Sequence, residues 1–152
     1  MHGSANAKGA KRSLALGALE DFAGFHLRLA QIRVFRDFDR TLGDLGVTPA
    51  SFSVLEVLRA NPGATQSRLA QAVRLDRSSV VPLLDKLEQR GLLRRQASAD
   101  DRRNNHIYLS AQGQELLESA IARVREHERR MTAHLSSAEK RTLVLLLGRI
   151  GE

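Results

Sequence analysis

The sequence contains no cysteine and no tryptophan, and aromatic residues make up only 4% of it. Without cysteine there can be no disulfide, thiol catalysis, thiol redox sensing or cysteine-ligated zinc. So few aromatics leave little to stack on, which argues against a binder of single-stranded nucleic acid. No apolar run approaches the ~20 residues of a membrane span. Residues 1–13 are polar and rich in Gly, Ala and Lys, without the apolar centre of a secretory signal. The expected location is therefore cytoplasmic, with no membrane partner. The five histidines, His2, His26, His106, His127 and His134, form no metal set. His127 and His134 share a helix face, but no carboxylates complete a ligand shell. No glycine-rich phosphate loop and no nucleophile elbow occurs. Neither an enzyme nor a bound cofactor is expected.

What is present suits a packed helical protein. Forty-two percent of the 152 residues are hydrophobic, mostly Leu, Val, Ile and Ala, which is enough for a core. The net charge of +7 favours polyanionic partners, nucleic acid first and anionic membrane second.

Periodicity divides the chain into four parts: a basic tail over 1–13, a long helix within 14–47, a compact region over 48–109, and further helices over 110–152. The first helix is predicted from Leu14 to Leu42, with two apolar stripes and hence two faces to bury. Thr48-Pro49 reads as an N-cap followed by proline in the first turn. Thr65 and Asp76 are placed to cap two shorter helices, and Gly91 to end the second of these in a left-handed conformation. Leu92–Ala97 and His106–Leu109 read as strands around a polar tip. Ser110 opens a long helix, and Ser136 with Glu139 forms the capping box of a last one. The stripes Leu116, Leu117, Ile121 and Val124, then Leu143, Leu146, Leu147 and Ile150, are more than one small domain can cover. They predict a homodimer.

Two short helices joined by a tight turn and followed by a strand pair make a winged helix-turn-helix. In that arrangement the second helix shows its first residues to the major groove of double-stranded DNA; here these are Arg77, Ser78 and Ser79. Arginine pairs with guanine edges, and serine adapts to bases or phosphates. Between Gln66 and His106 nine basic residues stand against five acidic ones. Arg94, Arg102 and Arg103 fall in the strand and tip, and Arg103 is the choice for an adjacent narrow minor groove. Asp76 caps the reading helix, and Asp101 is placed to hold a wing arginine. Pro82 lies inside that helix, so either the helix kinks there or its first turn is irregular.

These residues resemble the MarR family of bacterial regulators. The likeness rests on Leu69-Ala70, on the run from Leu83 through Asp85-Lys86-Leu87-Glu88 to Gly91-Leu92-Leu93, on Asp101-Arg102-Arg103, and on Ile107-Tyr108-Leu109-Ser110 with Gly113. It extends over the chain from about Leu14. The implied fold is mainly α with a small β-hairpin wing, a winged helix-turn-helix flanked by long dimerisation helices. The implied function is a transcriptional repressor whose dimer binds a pseudo-palindromic operator and is released by a small effector.

The resemblance also implies a pocket between the dimer arms and the winged domain for an aromatic acid or related compound. Phe25, His26, Arg33 and Arg36 on the first helix and Phe52 on the second are the candidates. Aromatic rings could sandwich a ring, and Arg33 or Arg36 could hold a carboxylate or phosphate in two-point fashion. A coenzyme A thioester is a larger anion of the same kind. The alternatives are a ligand-independent architectural DNA-binding protein and a winged helix that docks a protein partner.

Overall fold

The computed structural model describes residues 14–97 and 105–151. Asp101, Arg102 and Arg103 lie outside the described residues. By internal packing the chain falls into two units, residues 1–33 and residues 34–152.

In the first unit the expected helix does not begin at Leu14. A 3-10 turn spans Gly17–Asp21 and α1 spans Ala23–Leu42. The interruption has a local cause. Gly17 takes a positive φ of 58°, and Phe22 is extended with ψ 112°, so neither continues an α-helix. Leu14, Leu16, Leu19 and Phe22 are all exposed.

The second unit begins with the last part of α1, which buries Phe38 and Leu42. A 3-10 turn at Gly43–Leu45 leads to α2 (Pro49–Ala60), β1 (Ala64–Thr65), α3 (Gln66–Ala72) and α4 (Arg77–Gln89). Then come β2 (Leu93–Ala97), β3 (Asn105–Leu109), α5 (Ala111–Met131) and α6 (Ser137–Gly148). The fold is mainly helical, with one antiparallel sheet in the order β1-β3-β2. Ala64 lies opposite Ile107, and Arg95 lies opposite the same residue from the other side. β1 was not anticipated; two residues after Pro62-Gly63 are too few to show an alternating pattern.

Caps define most helix starts. The Thr48 hydroxyl accepts from the Ser51 amide, with Ser51 reciprocating as a capping box. Ser110 accepts from Gly113 N, and Ser136 pairs reciprocally with Glu139. Thr65 differs from expectation: it holds the N-cap position of α3, but its hydroxyl lies 3.3 Å from Ser67 Oγ and takes no helix amide.

The core joins Val54, Leu55 and Leu58 of α2 to Leu69 of α3, Val80, Leu84 and Leu87 of α4, Ile107 of β3 and Leu117 of α5. A second cluster holds Phe38, Leu42, Val47 and Ala120, with Phe52 and Val124 packed against it. This corrects one expectation. Leu117 is fully buried, Leu116 and Ile121 pack on the main core, and Val124 packs on the second cluster. The α5 stripe is thus covered within its own chain, because α2 and the end of α1 already lie against it. α6 buries nothing: Leu143 through Leu147 are all exposed, Leu145 by 70%.

Candidate nucleic-acid interface

The turn between α3 and α4 sets their crossing. Leu75 N donates to Ala70 O at 2.9 Å and Arg74 N to Gln71 O at 3.3 Å, the paired bonds of a Schellman ending. The left-handed residue of that ending is Arg74, at φ 55°. α4 ends in the same way, with Leu92 N on Leu87 O and Gly91 N on Glu88 O, and Gly91 at φ 71°. Gly91 turns the chain directly into β2.

At the start of α4, Asp76 Oδ1 accepts from Ser79 N at 2.7 Å and from the Ser78 hydroxyl at 2.6 Å. The Ser78 hydroxyl bond, followed by the Ser79 amide, holds the Asp76 carboxyl below its usual range. Arg77, Ser78 and Ser79 are all exposed. Arg77 has no ion pair among the described residues. α4 continues past the exposed Pro82 to Gln89, although proline has no N–H to give the Ser78 carbonyl. The buried set Val80, Leu84 and Leu87 turns the opposite side of the helix to the core.

The basic residues of this region divide by what they touch. Arg90 gives its guanidinium to the carbonyls of Gly46 and Leu45 at 2.6 and 2.7 Å, so it serves the fold. Arg95 pairs with Glu88 at 2.5 Å and Asp85 at 2.7 Å. Burial alone would push the Arg95 guanidinium down, but the bonds from Asp85 and Glu88 outweigh it and raise it. Arg94 points to the other face of β2, because successive strand residues alternate. Its guanidinium lies 4.8 Å from the centre of the Tyr108 ring and donates to Gln96 Oε1 at 3.2 Å. Among the expected DNA contacts, Arg77, Ser78 and Ser79 are therefore together at the α4 start, and Arg94 is on the sheet face turned away from α4. A cleft of about 460 Å³ lies between the start of α3, the start of α4 and the strands, and Arg77 and Arg95 both line it.

Residues that sequence reasoning passed over include the half-buried Gln66 and its neighbour Ser67 on α3. Ser67 is exposed and, with Thr65 and Gln66, lines the same cleft. Another is His106, whose Nδ1 lies 2.8 Å from Gly63 O and fastens β3 to the turn between α2 and β1. Gly63 has a positive φ of 81°, and a side chain there would start 3.0 Å from the Tyr108 hydroxyl.

The effector candidates lie in both units. In the first, Phe25 is half-buried with its ring edge-to-face with that of His26 at 5.7 Å, His26 Nε2 is 2.7 Å from Glu20 O, and Arg33 is exposed. In the second, Arg36 is exposed and Phe52 packs edge-to-face on Phe38 at 6.3 Å.

A family model described as the MarR family matches residues 45–104, the span from the turn before α2 into the tip between β2 and β3. Over 138 residues the chain is 40% identical to a candidate transcriptional regulatory protein for the hcr operon of Thauera aromatica, covering 90% of this chain and 83% of that protein. The chain belongs to the MarR family. It is a DNA-binding transcriptional regulator of the winged-helix type. Among solved structures, this MarR-family chain is similar to the transcriptional repressor CouR bound to a 23-mer DNA duplex, at 38% identity and a TM-score of 0.87, covering 92% of this chain and 99% of that one. It is also similar to CouR bound to p-coumaroyl-CoA, at 35% identity and a TM-score of 0.83, with the same coverage. Among the described residues no helix of this regulator is long and apolar enough to cross a membrane.

Proposed function

We propose that this chain is a homodimeric repressor of a pseudo-palindromic operator, and that an aromatic acid or its coenzyme A thioester releases it from DNA. The observation that carries the reading is the start of α4. Three exposed polar residues, Arg77, Ser78 and Ser79, stand on a helix whose far side is anchored in the core. Arg77 reads a base edge or a phosphate, Ser78 and Ser79 adjust to either, and Arg94 offers a backbone contact from the outer face of the sheet. From sequence, Arg102 and Arg103 enter the minor groove and Asp101 steadies them. The second copy covers the exposed apolar side chains within residues 14–47 and on α6, so that residues 14–47 and 110–152 act as the dimerisation arms around the winged domain of residues 48–109. Two symmetric reading helices then meet half-sites about one helical turn apart.

The effector class is supported by the likeness to CouR, a repressor captured both with DNA and with p-coumaroyl-CoA. Phe25, His26 and Phe52 supply rings for an aromatic group, and Arg33 and Arg36 supply cations for a carboxylate or phosphates. Release requires only that the effector bind the DNA-incompetent arrangement more tightly. A hundredfold loss of affinity corresponds to about 2.7 kcal/mol of coupling.

The deciding experiment selects a duplex from a randomised library with the purified protein, then titrates p-coumarate, benzoate, p-coumaroyl-CoA and free coenzyme A into the complex while anisotropy reports release. Release by an acid or thioester, at concentrations that also raise the melting temperature, is the expected result. Retention of the duplex in every arm would leave an architectural DNA-binding protein. Sedimentation of the same sample should show two chains, and Leu145→Asp on α6 should shift it toward one.

A further inference from the structure

We propose that Arg95 is a positioning residue that fixes the β2–β3 strand pair to the reading helix α4, so that both meet DNA as one rigid body. This rests on the DNA-reading role proposed above and adds a determinant of its specificity. A single residue makes three bonds to one helix face. Arg95 N donates to Glu88 Oε1 at 3.1 Å, Arg95 Nη1 to Glu88 Oε2 at 2.5 Å, and Arg95 Nη2 to Asp85 Oδ1 at 2.7 Å. Glu88 thus holds the backbone and the side chain of Arg95 at once. Asp85 and Glu88 are three apart and lie on the same side of α4. The Arg95 side chain is only 20% exposed.

The geometry explains why a second anchor matters. β2 leaves α4 through the Gly91 turn, where Leu92 N is bonded to Leu87 O at 3.0 Å. One attachment point would let the strand pair pivot about that turn. Arg95, three residues further along, supplies a second, and two points set the direction of the strands against the helix axis. Arg95 also sits opposite Ile107, which is fully buried, so the same register carries the constraint into β3.

The charges argue against Arg95 itself being a DNA contact. With Asp85 and Glu88 it forms a trio of net charge −1, which does not attract a phosphate. Specific binding needs helix and strands in register with two grooves at once, whereas binding to arbitrary DNA is electrostatic and tolerates misalignment. Loosening the clamp should therefore cost specificity more than general affinity.

The test compares the parent with Arg95→Gln in the full-length protein. Amide hydrogen exchange is read at residues 93–97 and 105–109, and affinity is measured for the selected duplex and for a random duplex of equal length across a salt series. We expect exchange in the two strands to quicken at least tenfold with α2 and α5 unchanged. The ratio of selected to random affinity should fall at least tenfold at an unaltered salt slope. Asp85→Asn, which removes one arm and keeps Arg95, should move both readouts the same way by less, and it decides the matter if Arg95→Gln does not fold. Parental exchange rates with a parental ratio would overturn the proposal. So would an equal loss on both duplexes with a salt slope shallower by about one charge, which would make Arg95 a phosphate contact. If the parent selects no duplex, the DNA reading fails instead, and the exchange rates alone decide whether the clamp exists.

Discussion

His127 on α5 and Asp37 on α1, ninety positions apart, share a hydrogen bond of 2.8 Å between Nδ1 and Oδ2. The same carboxylate oxygen accepts from Arg130 Nη2 at 2.8 Å, and Arg130 Nη2 also donates to Thr41 Oγ1 at 2.7 Å. His127 is 2% exposed and Asp37 14%, with the Phe38 ring edge-to-face on the imidazole at 5.5 Å. This polar cluster ties the end of α1 to α5 beside the second hydrophobic cluster.

Removing the acceptor should be costly, because the imidazole is left buried without its partner. Asp37→Ala should lower stability by about 1–3 kcal/mol in urea denaturation at neutral pH. Bonds from Arg130 first and His127 second hold the Asp37 carboxyl below its ordinary 3.8. Its contribution is therefore complete above that value, where folded and unfolded carboxyls are both ionised. It drains away as the pH falls through the lowered folded value. The gap between parent and Asp37→Asn should accordingly narrow below pH 3.8. A gap that stays constant down to pH 2 would show that Asp37 acts through packing alone.

Gly113→Ala should prevent normal folding. A Cβ at that position would fall 1.9 Å from the Leu92 carbonyl oxygen, and backbone cannot step aside as a side chain can. A loss above about 3 kcal/mol, or no soluble protein, is expected from so close a clash at the junction of β2 and α5. Gly24→Ala is the control: an added Cβ there meets nothing within 4 Å. It should be neutral or gain up to about 1 kcal/mol. Thermal melts of the pair check both.

Several of these features could be read in the chain and others could not, for reasons that lie in the chemistry of particular residues. Gly91 marked the end of α4 because glycine favours positive φ. Arg74 makes the same left-handed ending on α3 and left no mark, because nothing in its own chemistry prefers that conformation. The caps at Thr48, Asp76, Ser110 and Ser136 showed because each satisfies its own helix start locally. Arg95 read as one more positive charge, since its neutralisation by Asp85 and Glu88 depends on how β2 returns along α4. The α5 stripe was assigned to a partner for a related reason: periodicity shows that a face is buried, but not which chain buries it.

Arg77 and Arg103 should fail differently when truncated. Arg77→Ala should cost about 1–3 kcal/mol on the selected duplex and relax the preference at one base pair, if its exposed guanidinium reads a base. Arg103→Ala should weaken selected and random duplexes alike and reduce the salt slope by about one. Anisotropy titrations at several salt concentrations separate the two. Equal losses on both duplexes for Arg77→Ala would reassign it to a phosphate.

Arg33→Ala and Arg36→Ala should abolish release by an anionic effector while effector-free DNA affinity stays within about twofold, since neither residue belongs to the reading helix. The measurement is the effector concentration that half-releases the selected duplex. A parental value in both variants would place the effector's anionic group elsewhere and leave the repressor reading standing.

α6 buries none of its own side chains, so in the proposed dimer each chain is completed by its partner. A chain that keeps α6 but has lost Arg77 still pairs with a sound one, and the mixed pair carries one working half. In a cell that makes both, the damaged allele disables the intact product and is genetically dominant. A lesion in α6 withdraws its own chain from the pool and leaves the rest untouched, so it is recessive. Where a mutation falls along this chain therefore decides its inheritance as well as its severity.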